Sequence, residues 1–182
     1  NSNLAKCKTV AQILLTAAPR RLVERYVAVF KLAGITLLSL ETESFALSRS
    51  LVGNEEGSIL IADVGALTTD ITVVKKGVPV FSRSINAGGG TVTRAIADSL
   101  GVSMERAEQF KRDTGASFSA GGAAAGGVAA VIQRSFAPVI SEMKYTLDLQ
   151  ERSAGAVEKI LLTGGSAFLS SLDSYIATSL NV

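Results

Sequence analysis

The chain has 182 residues, of which 47% are apolar, so it is long and apolar enough to bury a core and is not a disordered protein. Its net charge of +2 and its scattered basic residues argue against a nucleic-acid partner. It has no histidine and a single cysteine, Cys7, which excludes a histidine-based triad, a zinc site of Cys and His, and an internal disulfide framework. A reducing cytoplasm is the expected environment.

No targeting or membrane-spanning signal is visible in the sequence. Residues 1–8 lack the apolar segment of a signal peptide. The apolar stretch 23–40 is interrupted by charges, among them Glu24, Arg25 and Lys31. We therefore expect no direct insertion into a membrane.

The first forty residues predict a strand–helix–strand unit. Residues 10–16 (VAQILLT) read as a buried strand, and Pro19 opens a helix because its missing N–H costs nothing in the first turn. Gly34 is a natural stop for that helix. Residues 35–40 read as a second buried strand.

A short helix and a polar loop come next. The helix is expected over residues 42–51, and the loop at 53–57 (GNEEG) is a candidate boundary between two lobes. Beyond it, residues 58–63, 69–75 and 78–85 read as three strands. The short turn at Lys76-Gly77 favours an antiparallel meander.

The rest of the chain alternates helices with one more strand, which indicates the α/β class. The glycines at 88–90 open a helix that Gly101 ends, and Ser103 is expected to cap a charged helix that runs through Arg112. The glycine-rich stretch 114–127 reads as a mobile loop. The remaining expected elements are a long helix kinked at Pro138, a strand at 159–163 and an amphipathic helix at 167–180.

The first of three candidate phosphate-binding segments is loop 1, the turn within residues 63–69 (DVGALTT). Small residues at a strand–turn–strand junction let backbone N–H groups face an anion, and Thr68 and Thr69 add hydroxyl donors. Asp63 could hold Mg²⁺ through water, because Mg²⁺ keeps much of its hydration shell. The alternative is an ordinary hairpin turn.

The other two candidates each come before a helix: residues 86–91 (NAGGGT), called loop 2, and residues 162–166 (LTGGS), called loop 3. A helix N-terminus carries partial positive charge and unpaired N–H groups, so loop 2 could bind an anion. In loop 3 the glycine pair would let a base or ribose lie against the backbone. The alternatives are a tight strand-to-helix turn for loop 2 and a helix-initiating turn capped by Ser166 for loop 3.

Taken together, the three segments resemble a known superfamily. The stretches 63–70 (DVGALTTD), 84–96 (SINAGGGTVTRAI) and 161–172 (LLTGGSAFLSSL) are similar to the actin-like ATPases. Within them, the order of the motifs resembles the PilM family of type IV pilus assembly proteins, which is related to the division protein FtsA. The resemblance implies a ribonuclease H-like α/β lobe with a mixed sheet.

The resemblance also implies roles for individual residues. Loop 1 matches the second phosphate loop of the superfamily, loop 2 a turn that faces phosphate or ribose, and loop 3 the adenosine loop. Glu142 matches the ribose-side acid, and Glu41 matches a catalytic carboxylate near Mg²⁺ and the attacking water. The implied nucleotide-binding residues are Asp63, Gly65, Thr68, Thr69, Gly88, Gly89, Gly90, Glu142, Gly164, Gly165 and Ser166.

The same resemblance implies the organisation of the chain. Residues 1–40 would be part of a small inserted subdomain, and residues 41–182 would form the ATPase lobe. The superfamily's first phosphate loop, on a strand pair with its own Asp-x-Gly, has no match in the sequence. We therefore expect the chain to correspond to the later two thirds of a PilM-like protein.

The implied function is binding of Mg-ATP and of a short cytoplasmic N-terminus of a PilN-like inner-membrane protein. This places the protein at the inner face of the bacterial inner membrane, with slow ATP hydrolysis at most and self-association as a further expectation. The alternatives are a non-hydrolysing adaptor of the same fold and an FtsA-like division protein. A small-molecule kinase would need an aspartate base, for which only Asp63 and Asp70 are candidates.

Overall fold

The structure, a computed structural model, describes residues 15–114 and 127–182, and its largest unit is built on a four-stranded mixed sheet. Its strands are β1 (Ser58–Val64), β2 (Thr69–Lys75), β3 (Val78–Ile85) and β4 (Lys159–Thr163), in the order β3-β2-β1-β4. The pairs β1–β2 and β2–β3 are antiparallel, and β4 is parallel to β1. Lys76 and Gly77, both with positive φ, form the turn between β2 and β3. The predicted antiparallel meander is therefore confirmed.

This topology brings three chain segments to one edge of the sheet. Because β1 and β3 both run antiparallel to β2, and β4 runs parallel to β1, the three strands β1, β3 and β4 end at the same edge. Loops 1, 2 and 3 follow these three strand ends directly. The carboxyl ends of strands are where α/β folds bind ligands.

Two helices begin or end at the residues that the sequence analysis marked as their ends. Gly88 precedes one helix and Gly101, with φ 65°, ends it; the Ser103 hydroxyl accepts the Arg106 N–H (3.3 Å) at the start of the next. The helices are α1 (Arg20–Leu32), α2 (Glu43–Leu47), a π-helix (Ser48–Val52), α3 (Gly89–Leu100), α4 (Met104–Thr114), α5 (Val128–Ala154), a 3-10 helix (Gly165–Phe168) and α6 (Leu172–Leu180). None of these helices is both long and apolar enough to cross a membrane.

The two faces of β1 belong to different cores. Leu60, Ala62 and Val64 point to the main core, which they share with residues of α3, α5 and α6. Ile59 and Ile61 point to a smaller cluster on the other face. Because side chains alternate along a strand, Asp63 lies on the second face, away from the layer of α3 and α5.

The chain divides into two units, Asn1–Thr42 and Glu43–Val182. The proposed boundary in the polar loop 53–57 was wrong, because the helical segment before it belongs to the second unit. There Val52 packs in the smaller cluster with Ile59 and Ile61, and the Ser48 hydroxyl donates to Gly77 O (2.7 Å). The assignment of residues 1–40 to an inserted subdomain and of 41–182 to an ATPase lobe stays a prediction.

Within the first unit, α1 confirms the predicted helix, but the strand expected at residues 35–40 does not form. Ile35, Leu38 and Leu40 are 57%, 91% and 44% exposed, respectively. A strand needs a neighbour to pair its backbone, and these residues pair with none in the described part of the chain. The companion strand expected at 10–16 falls mostly outside the described residues.

Two further differences concern the second unit. The helix expected from residue 167 begins only at Leu172, because Ser171 adopts a left-handed conformation (φ 63°) that separates the 3-10 helix from α6. The long helix α5 continues through Pro138. Most of the mobile loop predicted at 114–127 falls outside the described residues.

Candidate nucleotide site

Loops 1, 2 and 3 are hydrogen-bonded to one another at the carboxyl edge of the sheet. The N–H groups of Gly89 and Gly90 donate to the carbonyls of Gly65 (2.9 Å) and Ala66 (2.7 Å). The Ser166 hydroxyl donates to Gly65 O (3.3 Å), so loop 3 contacts the same residue of loop 1. The three glycine-bearing bends therefore meet at one place, as the sequence led us to expect.

The backbone N–H groups of loop 2, which we expected to bind an anion, form hydrogen bonds within the protein instead. Because the Gly89 and Gly90 N–H groups are bonded to loop 1, they hold the loops together. Backbone donors remain at the tip of loop 1, where Ala66 and Leu67 are exposed. Their N–H groups form no backbone hydrogen bond within the described part of the chain. Such N–H groups in a tight turn are suited to phosphate oxygens.

The glycines at these bends differ in what a side chain would meet. A Cβ added at Gly88 would lie 2.6 Å from Gly65 O, and one at Gly164 would lie 2.6 Å from Val64 O, so loop packing explains these two glycines. A Cβ at Gly165 would meet nothing within 4 Å, and that residue is exposed. The open backbone at Gly165 leaves room for a flat group to lie against it.

Two carboxylates lie beside the bends. Asp63 and Asp70 are directly opposed across β1 and β2, and so their side chains share the face away from α3 and α5. Partial burial, followed by the charge of Asp70, raises the pKa of Asp63. The Thr68 hydroxyl donates to Asp70 (3.3 Å), which ties loop 1 to the pair.

The pair fits a hydrated Mg²⁺ ion. Mg²⁺ prefers carboxylate oxygens, keeps several waters, and needs only one or two protein carboxylates. A cation would also relieve the repulsion that raises the Asp63 pKa. Within residues 15–114 and 127–182, no group of three or more His, Cys, Asp or Glu side chains is placed to bind a metal alone. A metal here would therefore share its ligands with water or phosphate.

A cavity of about 300 Å³ lies beside loop 3. Gly165 and Ser166 of loop 3 line it together with Phe168 at the end of the 3-10 helix, and Arg112 lines it from α4. Phe168 is 92% exposed, so its aromatic ring lines the cavity and remains accessible to a ligand. Exposed backbone, an aromatic ring and a guanidinium group together suit an aromatic base.

A larger cavity, of about 540 Å³, runs along β4 and α6. Its lining is mainly aliphatic, including Ile160, Leu162, Ile176 and Val182. None of the residues that line it belongs to the glycine bends at residues 65, 88–90 or 164–165. The larger cavity is therefore a weaker candidate than the one at loop 3.

A buried polar network, which the sequence analysis missed, joins α4 to the start of α3. Lys111 is only 7% exposed, and its Nζ lies 3.2 Å from Gly89 O, 2.9 Å from Thr93 Oγ1 and 2.7 Å from Glu108 Oε2. Thr93 Oγ1 in turn lies 2.6 Å from Glu108 Oε2. The spacing of Glu108 and Lys111 on one helix face was the available signal.

Electrostatics hold Glu108 in its charged form. Partial burial alone would raise the pKa of Glu108, but it is outweighed by hydrogen bonds from Lys111 and Thr93, the charge of Lys111, and a hydrogen bond from Arg112. The pKa is lowered to about 2. Glu108 is thus ionised throughout the neutral range.

Lowering the pH should destabilise the chain through Glu108. Because its folded pKa of about 2 lies below the ordinary 4.5, its contribution is fully present above pH 4.5 and is lost as the pH falls toward 2. Between pH 7 and pH 3, the free energy of unfolding should fall by about 1 kcal/mol less in Glu108→Gln than in wild type, after allowance for solvent screening. Urea unfolding at both pH values measures this difference, and equal losses would contradict it.

Three predicted site residues lie elsewhere or serve another purpose. The Thr69 hydroxyl is buried and donates to Ala87 O (2.6 Å), so it joins β2 to loop 2. Glu142 forms an ion pair with Arg83 (3.0 Å). Arg83 lies on β3, the outermost strand on the side of the sheet opposite to β4. Glu41 is exposed and belongs to the first unit. The nucleotide roles of these residues stay predictions.

Comparison with known proteins identifies the family. A model of the family described as type IV pilus assembly protein PilM matches residues 1–182. Among curated proteins, the ethanolamine utilization protein EutJ of Escherichia coli (strain K12) is 38% identical over 55 residues, which are 30% of this chain and 20% of that protein.

Solved structures agree on the fold. A PilM-PilN type IV pilus biogenesis complex matches with a TM-score of 0.69 at 23% identity, over 88% of this chain and 45% of that chain. MreB5 of Spiroplasma citri bound to ADP matches with a TM-score of 0.72 at 20% identity, over 90% of this chain and 59% of that one. The chain therefore has the actin-like α/β fold and spans about half the length of these relatives.

Proposed function

The chain belongs to the PilM family of type IV pilus assembly proteins, and from this premise we propose that its three loops form part of a Mg-ATP site. The convergence of loops 1, 2 and 3 at one edge of the sheet is the observation that carries the proposal. The ADP-bound state of MreB5, a protein of the same fold, supports it.

The residues divide between the two ends of the nucleotide. The nucleoside would occupy the cavity lined by Gly165, Phe168 and Arg112, where the backbone at Gly165 is open. The phosphates would lie toward loop 1, whose exposed N–H groups provide donors. Asp63 would hold the waters of Mg²⁺, and the ion would supply charge neutralisation for the phosphates.

We also propose a PilN-like partner. The similar PilM structure is a complex with PilN, and this supports binding of the cytoplasmic N-terminus of such a protein at the inner face of the inner membrane. Helix α1 is the candidate contact, because Leu22, Tyr26 and Val29, which share one helix face at i, i+4 and i+7, are 46%, 50% and 61% exposed. Apolar side chains of a helix face are common anchors for peptide segments.

Nucleotide binding is tested by calorimetric titration of the 182-residue chain with Mg-ATP and Mg-ADP. We expect saturable binding of both with one site per chain, and weaker binding when EDTA removes Mg²⁺. An absence of binding up to about 1 mM nucleotide, which corresponds to a free energy weaker than about −4 kcal/mol, would overturn the proposal. Phosphate release measured in the same samples separates a slow ATPase from a non-hydrolysing adaptor.

A further inference from the structure

Helix α1 carries an excess of positive charge that the rest of the chain does not share. Its 13 residues include four basic side chains and one acidic side chain, a net charge of +3, whereas the whole chain has a net charge of +2. The one acidic residue, Glu24, is already paired with Arg20 (2.8 Å). The positive charge of the protein is therefore concentrated on one short helix.

Two arginines of α1 have no acidic partner in the part of the chain that the structure describes. Arg21 and Arg25 are four positions apart, so their side chains are neighbours on the helix surface. Both are exposed, and together with Pro19 and Leu22 they line a cavity of about 290 Å³. Like charges at this spacing repel each other, and an anion beside them would offset the repulsion.

The side of α1 that carries these arginines ends in an exposed leucine. Ala28 and Leu32 follow Arg25 by three and seven positions, so they continue the face that begins at Arg21. Leu32 is 90% exposed. We call these four residues the arginine face. It adjoins the apolar face proposed for the partner's segment, because Val29 of that face lies four positions after Arg25.

A lipid headgroup and an acidic protein segment could both supply the anion, and two arguments favour the lipid. The proposed partner is an inner-membrane protein, so its segment on the neighbouring face would bring α1 close to the headgroups. The cytoplasmic leaflet is negatively charged and attracts basic side chains near its surface. An exposed leucine among basic residues also gains free energy by leaving water at the acyl boundary.

We propose that the arginine face of α1 binds the surface of an anionic bilayer, with Arg21 and Arg25 on lipid phosphates and Leu32 at the acyl boundary. The helix lies along the surface, because its 13 residues are fewer than the roughly 20 that a spanning helix needs. This inference rests on the proposed location at the inner membrane, and it adds a direct lipid contact to the contact with the partner.

The test measures partition of the 182-residue chain onto vesicles by co-sedimentation, without nucleotide or partner peptide. We expect binding to phosphatidylcholine vesicles that contain about 30% phosphatidylglycerol, and no binding to phosphatidylcholine alone, because the attraction needs anionic headgroups. An increase in ionic strength from about 0.1 M to about 1 M, which shortens the Debye length from about 10 Å to about 3 Å, should release the chain.

A pair of double variants locates the charged contact. Arg21→Gln combined with Arg25→Gln should lower the partition about 30-fold, which is the loss of two basic side chains near an anionic surface. The matched control is Arg94→Gln combined with Arg134→Gln, which makes the same change in net charge at exposed positions of the second unit. The control should lower the partition no more than about twofold, because screening weakens distant charges.

A second pair tests whether the helix reaches the acyl boundary. Leu32→Ser should lower the partition about tenfold, because a buried leucine side chain no longer contributes. Leu38→Ser is the control, since Leu38 is also almost fully exposed (91%) but lies outside α1, and its partition should match wild type. All the substituted positions are exposed, so circular dichroism should show the same helix content in every variant.

Absence of wild-type binding to the anionic vesicles, or an equal loss in a variant and its control, would overturn the inference. Titration with a hexaglutamate peptide separates the two anions. Binding of this peptide through Arg21 and Arg25, without vesicle binding, would assign the face to an acidic protein segment and also overturn the inference. Because the vesicle samples hold neither nucleotide nor partner, failure of the proposed Mg-ATP site appears only in the calorimetric titration and leaves the vesicle result unchanged.

Discussion

Replacement of Gly164 by valine should lower the free energy of unfolding by about 4 kcal/mol and abolish nucleotide binding. Gly164 has φ 88°, which a β-branched residue adopts only with strain. The new Cβ would also strike the Asp63 carboxylate and the Val64 carbonyl. Since these atoms belong to the end of β1, beside loop 1, the bend at the end of β4 has to open to make room for the side chain.

Gly165→Ala is the matched control for this effect. Its Cβ meets nothing within 4 Å, so unfolding should change by no more than about 0.5 kcal/mol. Nucleotide affinity should nevertheless fall, because the methyl group enters the space where we place the nucleoside. Chemical denaturation and Mg-ADP titration of both variants measure the two effects. Equal stability of Gly164→Val and Gly165→Ala would contradict our description of loop 3.

Asp63→Asn should stabilise the fold and weaken Mg-ATP. The amide removes the repulsion between two carboxylates that face each other across the strands, which is worth up to about 1 kcal/mol. Loss of a carboxylate that holds the metal's waters should lower affinity for Mg-ATP about 10- to 100-fold. A residue that costs stability and supports binding is typical of a functional site.

The pH dependence of the Asp63→Asn effect has a definite sign. Because the folded pKa of Asp63 is raised above 3.8, wild type loses stability as the pH rises from 3.8 through the folded value. The advantage of Asp63→Asn should therefore grow across this window and stay constant above it. Urea unfolding at several pH values follows this advantage. A variant that is less stable than wild type at pH 7, or that binds Mg-ATP equally well, would contradict the role given to Asp63.

Much of the fold could be predicted because short-range signals determine it. Runs of aliphatic residues bounded by glycine predicted β1, β2 and β3. Gly88 and Gly101 predicted the two ends of α3. The same strand ends also predicted where the three loops would meet. The apolar residues at 35–40 misled us, because an apolar run predicts burial but cannot supply a neighbouring strand.

The hydrogen-bond network of Thr93, Glu108 and Lys111 could not be predicted from residues that are close in the sequence. Thr93 and Lys111 are 18 residues apart, and their contact depends on how α3 packs against α4. The same limit applies to Glu142, whose ion pair with Arg83 joins α5 to a strand 59 residues earlier (142 − 83). Residue type identified these side chains as polar, but only the packing of the helices on the sheet determines their partners.

Hydrogen–deuterium exchange of the chain with and without Mg-ADP tests most directly whether the three loops form one nucleotide site. We predict that amide exchange slows together in residues 65–68, 86–90 and 164–166 when Mg-ADP binds, with little change in α1. Slowing in only one of the three segments, or along β4 and α6 instead, would contradict the account.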